Sequence, residues 1–514
     1  MTKLTYLLTL LCLVGVFSAK AQNLSTPFEL SQEQASATYD EALAHYTALT
    51  NQFDFIKIQQ GGLTDIGLPL QTVIFSISKE FEAETLRKQG KNILLINNAI
   101  HAGEPDGVDA CMLLLRDLAL NLQDPNKASQ TQQLLQNTVI VVIPAYNIDG
   151  MLNRGSYSRV NQNGPLAYGF RGNARNLDLN RDFIKCDSEN AKSFAKIYHT
   201  WQPDVYIENH VTNGADYQYV ITYLATQHNK LGGVLGEFLE QELSPSLEEK
   251  MKALDFEMSP YVSMAKSVPD SGLVQFLETP RFSSGYVALF HTMGFIVETH
   301  MLKPFAQRVK GTYAFMMSML AELQEKGNQI RALRQQTFTS TQTQTNFPIQ
   351  WITNREKFKT LQFRGYEAKY KPSAISGLPR LYYDRNEPFT KPVPFYNQYE
   401  PAIEVTRPKA YLIPQAWREV IARLELNGVR VQRISEKSVV EAEVYYIQDY
   451  KTAQNPFEGH YLHSNTQVSK TTQSLQVYPG DVIVICDQVQ NRYIIETLRS
   501  EEHTPELQSH KHLV

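Results

Sequence analysis

The sequence predicts an α/β protein: a mixed, largely parallel central sheet with helices on both faces, followed by a smaller α+β domain. Three observations carry this. Short β-rich runs alternate with segments of helical period through the first two thirds of the chain. Val139–Ile143 is an unbroken apolar run stopped by Pro144, the pattern of a strand covered on both faces. A polar Thr/Gln stretch, Gln335–Asn346, then separates this pattern from a half rich in Pro, Tyr and short strands.

In chain order, residues 22–50 form a helical lead-in. Thr72–Ser78 and Ile93–Ile96 are strands, and His101 follows the second. Val108–Leu122 places Cys111, Leu115, Leu118 and Leu122 at the spacing of one buried helical face. Asp204–Glu208 is a short strand leading into His210, and Gly294–Glu298 is an apolar strand ending on a carboxylate. Pro304–Leu323 is a long amphipathic helix. In the C-terminal half, Gln415–Leu426 is a helix stopped by Asn427-Gly428, and Val477–Ile485 has the pattern of a hairpin.

These readings divide the chain into a signal segment (1–21), a larger α/β domain (22–335), a polar linker (336–346) and an accessory α+β domain (347–498). Residues 499–514 resemble a translated sequencing adapter and are expected to be foreign to the fold. In the signal segment, Lys3 precedes the apolar Leu4–Phe17, and Ala19-Lys20-Ala21 has the form of a cleavage site. The apolar run is too short for a membrane span, so the expectation is an exported protein, periplasmic or secreted, with no stable membrane anchor. The formal net charge of −4 comes without a basic cluster, which argues against nucleic acid as a partner. With Cys12 removed in the signal segment, Cys111, Cys186 and Cys486 are odd in number and far apart, so they are expected to make no disulfide framework.

Chemistry-bearing residues lie between His101 and Glu298. His101-Ala-Gly-Glu104 offers two metal-ligand types in a turn after a strand, and His210 a third at another strand end. Each histidine alone reads equally as an ordinary loop residue, and His291 and His300 compete for the ligand role. Glu298 could serve as a base toward water or as half of a structural ion pair. In YGFRGNARNLDLNRDF, Arg171, Arg175 and Arg181 offer guanidinium groups, Asn180 an amide, and Asp178 a carboxylate that could orient a ligand histidine.

The ordered set H-x-x-E, Arg, D-x-N-R, His, Glu resembles the zinc metallocarboxypeptidases, the carboxypeptidase A and carboxypeptidase D kin, over about residues 35–335. The resemblance implies one Zn2+ per chain held by His101, Glu104 and His210, with Glu298 as general base. It implies Arg171, nine residues before Asn180, as the group polarising the scissile carbonyl. Asn180 and Arg181 would bind the terminal carboxylate of a peptide substrate. The family's mobile tyrosine has no clear counterpart: the expected distance falls on Phe276, and Tyr286 is the candidate. Two other functions stay open, a zinc amidase or deacylase acting on small amides or cell-wall peptides, and an inactive carboxypeptidase-like binding module.

Overall fold

The computed structural model describes residues 24–499; the signal segment and the tail beyond Arg499 lie outside them. Strands β1 (Ile56–Leu63), β2 (Pro69–Phe75), β3 (Asn92–Asn97), β4 (Thr138–Ile143), β5 (Val205–Thr212), β6 (Ile221–Ala225) and β7 (Met258–Pro260) precede a two-residue strand, β8 (Leu273–Val274), and β9 (Met293–His300). All but β8 form one sheet in the order β1-β2-β4-β3-β5-β9-β6-β7. Its centre, β4-β3-β5-β9, is parallel, while β1-β2, β2-β4 and β6-β9 are antiparallel pairs. The sheet is therefore mixed, as expected.

Both faces of the central strands are apolar because both are covered. On β3, Leu94 and Ile96 enter one core while Ile93 and Leu95 enter the other, following the two-residue period of a strand. The first core is closed by helix α1 (Asp106–Gln123), with Val108, Cys111, Leu115 and Leu118 inward. The second is closed by helix α2 (Glu189–Trp201) through Phe194, Tyr198 and Trp201. Gly107 is what lets α1 lie this close: a Cβ there would meet the Cβ of Asn209 at 2.4 Å.

The segment 336–346, expected as a polar linker, is helical as far as Thr343. It ends a helix, α3 (Phe305–Thr343), in which Thr337 and Thr341 are buried. Its lack of apolar period misled because the buried face there is threonine, and Thr341 Oγ1 bonds the imidazole of His291 at 3.1 Å.

The C-terminal half contributes β10 (Asn346–Thr353), β11 (Lys359–Pro372), β12 (Pro379–Tyr396), β13 (Tyr399–Thr406), β14 (Ala410–Ile413), β15 (Gln432–Arg433), β16 (Ser438–Thr452), β17 (His463–Val477) and β18 (Val482–Ile485). Helices α4 (Arg418–Leu426) and α5 (Asn491–Arg499) pack Ile421, Leu424, Tyr493 and Ile494 into the second core, with Tyr411, Val482 and Val484. Strand β12 also pairs with β8. This half thus shares the core of the sheet domain. The expected Val477–Ile485 hairpin does not form: β17 pairs with β16 and β18 with β14, so the turn between them joins two sheets.

Candidate metal and catalytic site

His101, Glu104, His210 and Glu298 gather at the carboxyl ends of β3, β5 and β9, three adjacent parallel strands. The chain leaves β3 toward β4 on one side and β5 lies on the other, so this is a switch point of the sheet, where a crevice opens. After β3 the chain turns through Ala99, held at φ 55°, and the Glu104 N–H donates to the His101 carbonyl at 2.9 Å. That turn carries both candidate ligand side chains into the crevice just before α1 begins. A buried ion pair holds the turn from behind: Arg308 of α3 donates to Asp106 at 2.9 and 3.2 Å, and Thr299 of β9 donates to the same carboxylate.

Ligand-type atoms of His101, Glu104 and His210 lie within 4.8 Å of one another. Both histidines turn Nδ1 toward Glu104, at 3.3 Å for His101 and 2.9 Å for His210. Both place Nε2 on a carboxylate outside the cluster, Asp178 Oδ1 at 2.9 Å and Glu208 Oε1 at 2.6 Å. A carboxylate behind each ring is the arrangement that orients ligand histidines, and a nitrogen–oxygen–nitrogen donor set suits a zinc ion. His291 and His300 are not part of the cluster. His291 bonds Thr341, and His300 Nε2 bonds the Ala215 carbonyl at 2.8 Å.

The charges are tightly coupled. Burial alone would raise the Glu104 carboxyl, but Arg159 and the two histidines outweigh it and hold it well below the usual range. Burial likewise disfavours charge on His210, yet Glu104 and Glu208 hold its proton well above the ordinary imidazole range. Burial pushes the Glu298 carboxyl up to about 8; His210 opposes this and Glu104 adds to it. Glu298 Oε2 is buried with no hydrogen-bond partner.

Arg171 is half exposed. It donates to Asp178 Oδ2 at 2.8 and 3.1 Å and lies 3.6 Å from Glu104 Oε1. Asp178 also caps the short turn Leu179–Arg181, accepting the Asn180 N–H at 2.9 Å. Arg181 stacks on Phe282, 4.1 Å from the ring centre, and Asn180 Oδ1 is buried without a hydrogen-bond partner.

Tyr286 is not at the site. It is fully buried in the second core, packed against Phe183, Tyr198 and Phe290, and its hydroxyl donates to Asn427 at 2.5 Å. A ring so enclosed cannot swing over a substrate. Tyr261, half-buried, bonds Thr212 at the end of β5 and has its hydroxyl pushed up to about 12 by burial and by Glu298.

Several residues of the site went unread in the sequence. Arg159 donates to Glu104 Oε1 at 2.8 Å and to the Val211 carbonyl at 2.6 Å. It sits in a polar loop with no motif to mark it. Glu208 did carry a signal, since Tyr206, Glu208 and His210 alternate along one face of β5. Glu278, a buried carboxyl bonded to Ser284, is pushed up to about 7 by its burial.

The zinc carboxypeptidase family matches residues 44–219, a span holding His101, Glu104, Arg171, Asn180, Arg181 and His210. Over that span the chain is similar to the zinc carboxypeptidases. The match supports a metallocarboxypeptidase, a peptide hydrolase. Among curated relatives, carboxypeptidase 2 of Trichophyton rubrum is 21% identical over 407 residues, covering 76% of this chain and 69% of its own. Carboxypeptidase 2 of Trichophyton equinum is 22% identical over 410 residues, with the same coverage. Among solved structures, a metallo-carboxypeptidase from Burkholderia cenocepacia aligns at a TM-score of 0.41 and 15% identity, over 57% of this chain and 70% of that one. One from Pseudomonas aeruginosa aligns at 0.42 and 14%, over 58% and 70%. Glu298 lies beyond the matched span. No helix among the described residues is long and apolar enough to cross a membrane.

Proposed function

We propose that this protein is an exported zinc carboxypeptidase and removes the C-terminal residue of peptides, with Glu298 as general base and Asn180-Arg181 as the grip on the terminal carboxylate. The observation that carries the reading is the convergence of the His101, Glu104 and His210 donor atoms at the mouth of β3 and β5, with an unpartnered Glu298 carboxylate oxygen on the adjacent strand. His101, Glu104 and His210 would hold one zinc ion, which when bound supplies a Lewis acid for the scissile carbonyl and lowers the pKa of water.

Glu298 takes a proton from the attacking water and passes it to the leaving amine. Its burial makes the carboxylate more basic than a solvated one, as a base working near neutral pH requires. Arg171, half exposed and anchored on Asp178, has donors to offer the developing oxyanion. Arg159 is committed to Glu104 and Val211 and fixes the ligand carboxylate instead. Arg181, flat against Phe282, has a planar fork suited to a carboxylate, and Asn180 lies beside it. Asp178 ties these parts together by bonding His101, Arg171 and the Asn180 backbone.

The test is a panel of matched free-acid and C-terminally amidated peptides, with and without a chelator. Cleavage of the free acids alone, lost with chelator, is expected. Equal cleavage of both series would replace this reading with that of a zinc amidase.

A further inference from the structure

The hairpin β16–β17 pairs with no other strand among the described residues, yet its tip reaches the 178–187 segment. Phe457 and His460 close the tip by exchanging backbone hydrogen bonds at 2.7 and 3.1 Å around Glu458-Gly459. Both central residues have positive φ, 49° and 80°, so the turn is of the type that favours Asn-Gly or Gly-Gly. A glutamate in the left-handed region is a costly choice there. Its side chain has a use: Glu458 Oε2 accepts the Asp178 N–H at 2.7 Å.

Two neighbours reinforce the contact. His460 Nε2 lies 2.6 Å from Asp187 Oδ2, and Phe457 lies under the Arg281 guanidinium, 5.0 Å from the ring centre. Arg281 in turn donates to the Arg181 carbonyl at 3.1 Å. The tip thus grips the segment at both ends and next to Arg181. Asp178 is where this matters most, because it bonds His101, Arg171 and the Asn180 N–H at once.

We infer that Glu458 is a positioning residue for substrate: the hairpin tip clamps the Asp178–Arg181 turn, so that the site is completed by a residue outside the family-matched span 44–219. The inference rests on the assignment of Asn180-Arg181 to the terminal carboxylate. Glu458 reaches no reacting atom and acts through the Asp178 backbone.

Glu458→Asn and Glu458→Gln separate this role from a merely structural one. Asparagine suits the left-handed turn position better than glutamate but is one methylene too short to reach Asp178. Glutamine keeps the reach and an acceptor oxygen. For free-acid peptides, Glu458→Asn is expected to raise KM on the order of tenfold, the scale of one lost hydrogen bond, with kcat and zinc content little changed. Hydrogen exchange at the Asp178 amide should speed up in parallel, and Glu458→Gln should restore both readouts. Unchanged KM and exchange in Glu458→Asn would overturn the clamp. So would a Glu458→Gln enzyme as impaired as Glu458→Asn, since charge rather than the contact would then be acting. If the wild type leaves free-acid peptides intact, the carboxylate-grip reading fails on its own, and the exchange rates still decide whether the tip holds the turn.

Discussion

His210 and Glu298 are register partners on the adjacent parallel strands β5 and β9. Residues paired this way point to the same face of a sheet, so the spacing of the proposed ligand and the proposed base is set by ladder hydrogen bonds rather than by a loop. Asp106 strengthens the arrangement, since its buried pairing with Arg308 and Thr299 ties the start of α1 to the end of β9.

Glu298→Gln removes the base while keeping the shape of the side chain. Turnover is expected to fall on the order of a hundredfold or more, the usual scale for loss of a general base, with zinc content and melting temperature retained. Near-normal turnover would exclude Glu298 from the chemistry.

Metal analysis of the wild type is expected to give about one zinc per chain on the three-ligand count. His210→Ala should lose most of it, because only His101 and Glu104 would remain. It also leaves Glu208 buried without its imidazole partner. A variant that kept full zinc would take His210 out of the site.

Arg181→Ala tests substrate class. Removing one partner of a desolvated charge pair costs about 2–5 kcal/mol. At about 1.4 kcal/mol per tenfold, kcat/KM on free-acid peptides should drop by tens- to thousands-fold. Asn180→Ala should show the same preference more weakly, as a neutral donor is lost. Equal losses on amidated peptides would point to a folding defect or to a different role.

Asp109, on α1, gives a pH dependence independent of the metal. Burial, aided by the nearby Asp106, pushes its carboxyl from 3.8 to about 7, with Arg154 and bonds from Ser36 and the Ala37 N–H opposing. The folded state therefore holds this proton more tightly than the unfolded chain does. The stability it contributes is present at low pH and declines as pH rises from about 4 to about 7. Asp109→Asn, mimicking the protonated form, should flatten the melting temperature of the protein across that window and raise it at the upper end. Parallel curves for the two proteins would refute the assignment.

The alternation of elements, the central strands and the order of the ligand candidates are legible in the sequence. Those signals are local: an apolar strand such as Val139–Ile143 and a turn such as His101–Glu104 are written in neighbouring residues. Asp178 could be picked out because it sits two residues from Asn180. The remainder emerged with the folded chain. It separated Tyr286, the candidate for the closing tyrosine, from the site by enclosing its ring in the second core. It extended α3 through the Thr/Gln stretch because buried threonines satisfy their hydroxyls inside the fold, a feature that hydrophobic periodicity does not register. It brought Arg159 onto Glu104, 55 residues away, and Glu458 onto Asp178, 280 residues away. A charge pair or a backbone contact between distant segments leaves no periodic trace in either, so chain topology alone brings such partners together.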